Sequence, residues 1–360
     1  MKNAIKIFAV LGVNLLTFEL LCTVVVSSGL LSTSFPTYEL QNRRFFGDYN
    51  RDFGAWHLPG TSFRHKTKCF NAIYEFNSVG AKDTEFNQKN SQKDIFLIGD
   101  SMAEGFGLSN NDSLDSQLEA ISEMNVLNFG TSGHFGTTQY SLLYEHFQAR
   151  FKHERLIILL TLQNDFLDDS FEFGREVFHQ RYRPYHVSVP NKQGEYSLKY
   201  FDTKKLETGE LELKDIFSAY LASYHVAKFI YKTGKTAIYE EFSKQSRSDI
   251  PIFDEAFFNE SMDLMVYNLN SISKKASEIS VEVFVVIVPS SADVISGVQT
   301  FQTKKVKTEL EKRVNKVEII DPFHVFRDHH DPKMLFHSCD QHLSPEGAKT
   351  LAQVLNRYLS

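Results

Sequence analysis

Five short apolar runs, separated by stretches of helical character, constrain the fold of this chain more than any other feature of its sequence. The runs lie at 94–100, 125–130, 154–162, 281–289 and 316–322. They are nearly continuous in β-branched and aliphatic residues, which is typical of strands buried on both faces of a parallel sheet. Helical patterns lie at 114–121, 137–151, 214–232, 255–279 and 344–359. The alternation predicts a doubly wound α/β fold with a mainly parallel five-stranded sheet between two layers of helices.

An apolar segment at 7–31 precedes these elements and is long enough to cross the hydrocarbon core of a membrane as a helix. Lys2 and Lys6 precede it, which favours a cytoplasmic N-terminus with the rest of the chain outside the cytoplasm. Residues 1–31 are therefore predicted to be a single-pass anchor in the inner (cytoplasmic) membrane, or alternatively a cleaved signal peptide. Glu19 interrupts the apolar run, and its carboxyl group costs insertion energy unless it is protonated or faces a partner.

The rest of the chain divides into two predicted parts. Residues 32–90 are aromatic, polar and weakly periodic, as expected of a stalk that leads to a domain, and residues 91–360 hold the strands and helices of the sheet. The stretch 166–213 breaks their rhythm and is predicted to be an insertion near the carboxyl ends of the strands, where folds of this class place their sites. The formal net charge of −6 offers no basic field for nucleic acid, so that class of partner is excluded.

Four segments at strand ends or before a helix carry residues suited to acyl chemistry. Ser101 lies in GDSMAEGFG directly after the first run, where the N-terminus of a helix faces any negative charge that develops. The glycine-rich loop at 128–136 can turn backbone N–H groups into a cleft, and Asn164 offers an uncharged amide donor. Asp340 and His342 stand two residues apart, so that the carboxylate can orient the imidazole. Taken one at a time, each segment is also explained by helix capping or an ordinary turn.

Together these motifs resemble those of the SGNH (GDSL-type) hydrolase family. GDSMAEGFG is similar to the GDSxxxGxG block of that family, NFGTSG to its second block and HLSPEG to its final block, over residues 91–360. NSVGAKD at 77–83 is similar to a lead-in of membrane-anchored bacterial members. The resemblance implies a flavodoxin-like three-layer sandwich. The third block departs from the pattern, because Gln163 stands where the family usually has glycine.

The resemblance implies a serine ester hydrolase of the bacterial envelope, with its domain in the periplasm or outside the cell. In it Ser101 is the nucleophile, His342 the general base and Asp340 the residue that orients the base. The N–H groups of Ser101 and Gly133 and the amide of Asn164 form the oxyanion hole. The expected substrate is an acylated, especially acetylated, glycan or a similar ester, and no cofactor is expected. An O-acetyltransferase acting on an envelope polysaccharide and a non-catalytic assembly protein that keeps the fold are the alternatives.

Residues outside these motifs are candidates for binding and for cross-linking. Tyr182, Arg183 and Tyr185 are candidates for contact with sugars, although aromatic residues of loops are more often packing residues. Cys69 and Cys339 are predicted to form a disulfide that ties the stalk to the catalytic loop in an oxidising compartment. The histidines near the C-terminus do not match metal-ligand geometry, so no metal site is predicted. No phosphate-loop fingerprint follows the first apolar run. A nucleotide-binding protein of flavodoxin-like fold is therefore the least favoured of the alternative functions.

Overall fold

The computed structural model divides the chain into two units. It describes residues 2–28, 30–31, 48–66, 69–86, 93–172, 182–192, 194–200, 213–242 and 255–360. The first unit comprises Met1–Phe45, Phe63–Ala72 and Lys204–Asp249, and the second comprises Phe46–Ser62, Ile73–Thr203 and Ile250–Ser360. All five apolar runs therefore belong to the second unit.

The secondary structure of the described residues alternates between strands and helices over most of its length. The strands are β1 (Asp48–Asn50), β2 (Gly54–Trp56), β3 (Ser62–Lys66), β4 (Asn71–Glu75), β5 (Lys93–Ile98), β6 (Met124–Asn128), β7 (Arg155–Leu160), β8 (Tyr185–Ser188), β9 (Tyr196–Lys199), β10 (Glu282–Ile287) and β11 (Glu318–Ile320). The helices are α1 (Lys2–Ser27), α2 (Ser101–Glu104), α3 (Leu114–Ile121), α4 (Thr137–Phe147), α5 (Leu162–Asp169), α6 (Leu213–Tyr220), α7 (Ala222–Phe242), α8 (Glu255–Glu278), α9 (Ser291–Ser296), α10 (Phe301–Arg313), α11 (Phe323–Arg327) and α12 (Pro345–Leu359).

A five-stranded sheet in the order β11-β10-β7-β5-β6 forms the centre of the second unit, and all of its pairs are parallel. Ile158 on the middle strand pairs with Ile98 of β5 on one side and with Val285 of β10 on the other. Each predicted apolar run supplies one strand, so the predicted fold class is confirmed. Because the strands are parallel, their carboxyl ends lie along one edge of the sheet.

Helices cover both faces of this sheet, because successive side chains of a strand point to opposite sides. On one face Phe96 and Ile158 share a buried cluster with residues of α4 and α8, such as Tyr144 and Leu269. On the other face Ile95 and neighbouring strand residues pack with α3 and α12 in a second cluster. The second unit is therefore a three-layer α/β sandwich. The last helix begins as its sequence predicts, with the hydroxyl of Ser344 accepting a hydrogen bond from the N–H of Gly347 at 3.2 Å.

Part of the segment predicted as a stalk packs into the second unit. Phe53 and Trp56 are buried, and their rings contact Phe147 of α4 at centroid distances of 5.7 and 6.0 Å. The indole N–H of Trp56 donates to the carbonyl of Val79 at 2.7 Å. Aromatic rings contribute a large buried area, which explains why this polar but aromatic segment joins the core. The described residues 48–62 and 73–86 thus belong to the folded second unit.

The predicted insertion at 166–213 contains a hairpin. Strands β8 and β9 pair antiparallel, with Tyr185 opposite Lys199, and the turn between them contains Asn191 and Gly194 in left-handed conformations. Residues 173–181, 193 and 201–212 of the insertion lie outside the described residues.

The first unit contains α1, α6 and α7. Within α1 the stretch Ile5–Ser27 is, among the described residues, the one helix long and apolar enough to cross a membrane, a test that a signal sequence also passes. Cys22 and Val26 of α1 are buried against Ala222 of α7. Most of the other described apolar side chains of α1 are exposed.

Candidate active site

Ser101 is the first residue of α2, and two residues separate it from the end of strand β5. A β-carbon at Gly99 would lie 2.8 Å from the β-carbon of Ala103, so only glycine lets the chain turn this sharply from strand to helix. Asp100 caps the helix by accepting a hydrogen bond from the N–H of Met102 at 2.9 Å. The turn places Ser101 at the carboxyl edge of the sheet, with 8% of the residue exposed.

Asp100 links the Ser101 turn to the next strand end. Its carboxylate accepts hydrogen bonds from the hydroxyl of Thr161 at 3.0 Å and from the side-chain amide of Asn164 at 3.2 Å. Burial raises the pKa of Asp100 above its ordinary value, and the bonds from Met102 and Asn164 offset this only in part. The amide of Asn164 is thereby held beside the residue that precedes Ser101.

His342 lies between Ser101 and Asp340. Its Nε2 is 2.7 Å from the hydroxyl oxygen of Ser101, and its Nδ1 contacts Oδ1 of Asp340. A carboxylate only accepts hydrogen bonds, so Nδ1 carries the ring proton and Nε2 accepts the proton of the serine hydroxyl. Burial alone raises the pKa of Asp340, but the hydrogen bonds and charge of His342 outweigh it and bring that pKa below its ordinary value.

Backbone hydrogen bonds shape the loop that carries His342. The N–H of His337 donates to the carbonyl of His342 at 2.9 Å, and the N–H of Asp340 donates to the carbonyl of His337 at 3.2 Å. Phe336 and Leu343 form an antiparallel bridge just outside this turn. The ring of Phe106 packs against the imidazole of His342, with centroids 4.5 Å apart. The position of the imidazole is therefore fixed by three contacts: the backbone hydrogen bonds of its loop, the ring of Phe106 and the carboxylate of Asp340.

The loop that contains Gly133 is tied to α2 by Glu104. The carboxylate of Glu104 accepts hydrogen bonds from the backbone N–H and, at 2.5 Å, from the hydroxyl of Ser132. A β-carbon at Gly130 would lie 2.3 Å from the backbone nitrogen of Glu104, so the loop approaches α2 as closely as a glycine permits. The N–H of Thr131 also donates to the carbonyl of Gly99 at 3.2 Å, so the loop that leads to Gly133 is tied to both sides of Ser101.

Glu104 is itself held in a buried polar cluster. Its Oε2 lies 3.4 Å from Nε2 of His57, and both side chains are fully buried. Burial raises the pKa of Glu104, but His57 and the bonds from Ser132 outweigh it, so the pKa lies below its ordinary value. The ammonium group of Lys82 donates to the carbonyls of Glu104 at 3.1 Å and Gly105 at 3.3 Å. Burial lowers the pKa of Lys82 despite the nearby carboxylates.

NSVGAKD at 77–83 supplies this lysine and a second anchor. The side-chain oxygen of Asn77 accepts hydrogen bonds from the N–H groups of Val79 and Ala81, which folds the segment into a turn. The carboxylate of Asp83 accepts from the N–H of Asn128, at the end of β6, at 3.0 Å. The lead-in motif therefore supports both the Ser101 helix and the strand that leads to the Gly133 loop.

Tyr182, Arg183 and Tyr185, the candidates for sugar contact, are buried, with 6%, 1% and 2% of each residue exposed. The guanidinium of Arg183 donates to the backbone carbonyl of His134 and, at 3.3 Å, to the carboxylate of Asp168. Its Nε donates to the hydroxyl of Tyr185 at 2.6 Å. Such buried rings offer no face to a sugar. Arg183 instead holds the residue after Gly133, and His134 adopts a left-handed φ of 58° there.

The structure brings Ser101, His342 and Asp340 into one hydrogen-bonded series and places Asn164 and the Gly133 loop against the turn that carries Ser101. Sequence reasoning missed Glu104 and His57, although an acidic residue within GDSMAEGFG was a signal for the first. Gln163 lies in α5, and its side chain is outside the described residues. In the part of the chain that the structure describes, no three His, Cys, Asp or Glu side chains are grouped to hold a metal ion.

Solved structures of similar fold share little sequence identity with this chain. No known protein family and no curated protein matches this chain. Among solved structures, a lipase from a goat rumen metagenome is 14% identical, with 74% of this chain and 97% of that one covered and a TM-score of 0.40. A member of the lipolytic protein G-D-S-L family from Veillonella parvula is 11% identical, with 74% and 97% covered and a TM-score of 0.36. A salicylyl-acyltransferase from a tetracycline biosynthetic pathway is 11% identical, with 76% and 56% covered and a TM-score of 0.37.

Proposed function

We propose that this protein is a membrane-anchored serine ester hydrolase that removes acyl groups, above all acetyl groups, from an envelope glycan or a similar ester. The observation that carries the proposal is the 2.7 Å contact between the hydroxyl of Ser101 and Nε2 of His342, with Asp340 on the other ring nitrogen. A serine hydroxyl is a weak nucleophile until a neighbouring base accepts its proton. The series of hydroxyl, imidazole and carboxylate supplies that base and holds it in the required tautomer.

In the first half of the reaction the acyl group moves to the enzyme. The oxygen of Ser101 forms a bond to the ester carbonyl carbon as its proton passes to Nε2 of His342. The electron pair of the carbonyl moves onto its oxygen, which is stabilised by the N–H groups of Ser101 and Gly133 and the amide of Asn164. The intermediate then collapses, the bond to the leaving alcohol breaks, and the alcohol oxygen takes the proton from His342.

In the second half water releases the acyl group. His342 accepts a proton from water as the water oxygen bonds to the acyl carbon. The bond to Ser101 then breaks, and the serine oxygen recovers a proton from His342. A sugar hydroxyl in place of water would make the same site an acetyltransferase. Incubation with an acetylated envelope glycan separates the two outcomes, because a hydrolase yields free acetate and a transferase yields acetate on a second sugar.

The proposed location rests on α1. Its apolar side chains, such as Leu16 and Phe8, are 74% exposed, as suits a helix surrounded by lipid. Lys2 and Lys6 at its start favour a cytoplasmic N-terminus, and the catalytic unit would then lie on the far side of the inner membrane. An envelope glycan is the acylated material that this position brings within reach.

The test is the turnover of p-nitrophenyl acetate by the wild-type protein, Ser101→Ala and the control Ser277→Ala. Ser277 is a partly exposed residue of α8 whose hydroxyl donates to the carbonyl of Lys274 in its own helix. We expect Ser277→Ala to keep full activity and Ser101→Ala to lose it. Equal turnover by the wild-type protein and Ser101→Ala would refute the enzyme and favour a non-catalytic assembly protein.

A further inference from the structure

Glu19, the acidic residue inside the apolar helix α1, contacts the start of another helix. Its carboxylate accepts hydrogen bonds from the backbone N–H of Ala222 and, at 3.3 Å, from that of Ser223. These are the first residues of α7, whose N–H groups have no acceptor within their own helix. A negative carboxylate is also favoured at the positive end of a helix dipole.

The position of this contact along α1 sets its depth. Glu19 precedes Ser27, the last residue of the candidate span, by eight residues. At a rise of about 1.5 Å per residue the contact lies about 12 Å below the end of the span. A hydrocarbon core of about 30 Å would therefore enclose it. In hydrocarbon, a lone carboxylate and the unpaired N–H groups at the start of a helix each cost free energy. Here the carboxylate of Glu19 accepts hydrogen bonds from those N–H groups, so both are paired.

The packing of α7 on α1 gives its direction. Cys22 and Val26 of α1 are buried with Ala222 of α7, and Val226 packs against the same cluster. Residue numbers on both helices thus increase the same way, so α7 starts beside Glu19 and runs alongside α1 towards Ser27. About eight residues later, at a rise of about 1.5 Å each, α7 reaches the level of Ser27. Tyr231, 69% exposed, lies at that level, where tyrosine is enriched at membrane surfaces.

The preceding helix α6 presents an uncovered apolar stripe. Leu213, Phe217 and Tyr220 are 70%, 44% and 55% exposed, and Ile216 is 37% exposed. Spacings of three and four residues place these side chains on one face of the helix. The N–H of Leu221 donates to the carbonyl of Phe217 at 2.9 Å, so α6 leads directly into the start of α7.

We propose that α6 and the first two turns of α7 are a second membrane-inserted element, a re-entrant helix pair beside α1 whose apolar face is covered by lipid acyl chains. The proposal rests on the membrane anchor of the proposed function and is independent of the ester chemistry. One observation selects lipid as the occupant: the contact with Glu19 fixes the start of α7 within the span of α1. Because α6 leads directly into that start, its exposed apolar stripe enters the same medium. Glu19 then is a structural partner of α7, which requires that α1 stay attached to the mature chain.

Quenching of tryptophan fluorescence by brominated phospholipids tests this directly. The full-length protein is reconstituted into vesicles with bromine on the acyl chains, and the emission added by a new tryptophan is compared with vesicles that lack bromine. The single native tryptophan, Trp56, is buried in the second unit and gives the background. Phe217→Trp reports on α6. Phe18→Trp, at an exposed site of α1, is the positive control, and Tyr358→Trp, exposed on α12, is the negative control.

We expect the emission added by Phe217→Trp and Phe18→Trp to be largely lost in brominated vesicles and that of Tyr358→Trp to be kept. Quenching at position 18 without quenching at position 217 would overturn the proposal and indicate that protein covers the stripe. Absence of quenching at position 18 would overturn both the proposal and the anchor, while the esterase assay would still test the active site.

A second pair of variants tests the role of Glu19. Glu19→Leu removes the acceptor for the N–H groups of α7, and we expect it to reduce the quenching of Phe217→Trp. Asn14→Leu is the matched control, because Asn14 is an exposed polar residue of α1 that donates to the carbonyl of Val10 in its own helix. Unchanged quenching in Glu19→Leu would show that the contact does not hold the helix pair in the membrane.

Discussion

Oδ1 of Asp340 accepts two hydrogen bonds from one residue, from the backbone N–H of His342 at 3.0 Å and from its ring Nδ1. The carboxylate therefore fixes both the position of the residue and the tautomer of its ring. The arrangement depends on the two-residue spacing between Asp340 and His342, because a carboxylate side chain reaches the N–H two residues further on.

Asp340→Asn should keep the fold and lose catalysis. The asparagine amide can offer Nδ1 a donor where the ring needs an acceptor, so that Nε2 no longer accepts the proton of Ser101. We expect kcat for p-nitrophenyl acetate to fall by about 10⁴-fold with KM little changed. Asp328→Asn, an exposed aspartate paired with Arg327, is the control and should keep full activity. Equal kcat in both variants would remove Asp340 from the proposed mechanism.

Asn164→Ala removes one proposed donor to the oxyanion. Loss of one such donor costs about 3 kcal/mol of transition-state stabilisation, so kcat should fall by about 10²-fold. Its amide also donates to Asp100, and thermal unfolding will show how much of the effect is structural. Asn111→Ala, at an exposed position before α3, is the control. A fall in thermal stability that accounts for the whole loss of activity would argue that Asn164 only supports the turn.

Glu104→Gln should lower kcat, because Glu104 holds Ser132, the residue before the proposed oxyanion donor Gly133. The neutral amide keeps one acceptor for Ser132 but loses the charge that faces His57, so the loop is held less firmly. A shift of about 1 Å in a group that stabilises the transition state costs on the order of 10²-fold in rate. We expect kcat to fall with KM unchanged, and Glu104→Ala to be more severe. Glu123→Gln, an exposed glutamate, is the control. A rise in KM at constant kcat would contradict this positioning role.

The same glutamate should contribute stability that depends on pH. The pKa of Glu104 is lowered in the folded protein, so its contribution is fully present above the unfolded value of about 4.3 and is lost as the pH falls through the folded value. We expect the difference in unfolding free energy between wild type and Glu104→Gln to be constant at neutral pH and to shrink below about pH 4.3. Denaturant titrations across this range measure it, and a difference that grows with acid would contradict the charged state of Glu104.

The predicted disulfide between Cys69 and Cys339 is tested by counting thiols. The chain has three cysteines, and Cys22 is a free, buried thiol among the described residues. Full-length protein that is purified, denatured and alkylated without reductant should take up one alkyl group, and reduced protein should take up three. Cys22→Ser should take up none before reduction. Three groups without reductant would disprove the disulfide.

The strands and the last helix could be predicted because their signals are local. Continuous apolar runs such as the one around Ile158 give buried parallel strands, and Ser344 followed by Pro345 gives a helix start. Residues that follow such strands share one edge of the sheet, which is why Ser101 and Asn164 could be expected near each other.

Other contacts could not be predicted, because no local pattern marks a pairing between distant polar residues. His57 and Glu104 are 47 positions apart, and Glu19 and Ala222 are separated by 203 positions. Arg183 and the tyrosines beside it were candidates for sugar contact, and an arginine is almost never fully buried unless it is paired. They are buried because the arginine finds the carboxylate of Asp168 and the carbonyl of His134, partners that only the folded chain supplies.

The contact of Lys82 with the carbonyls of Glu104 and Gly105 has a practical consequence for producing this protein. A fragment that begins at residue 91, just before β5, would lack Lys82, whose ammonium group binds the end of the Ser101 helix. It would also lack Phe53 and Trp56, whose rings pack against α4. It would leave two backbone oxygens and the rings of α4 facing solvent. Soluble versions should therefore keep the whole segment from residue 46 onward, and a shorter fragment should be expected to aggregate.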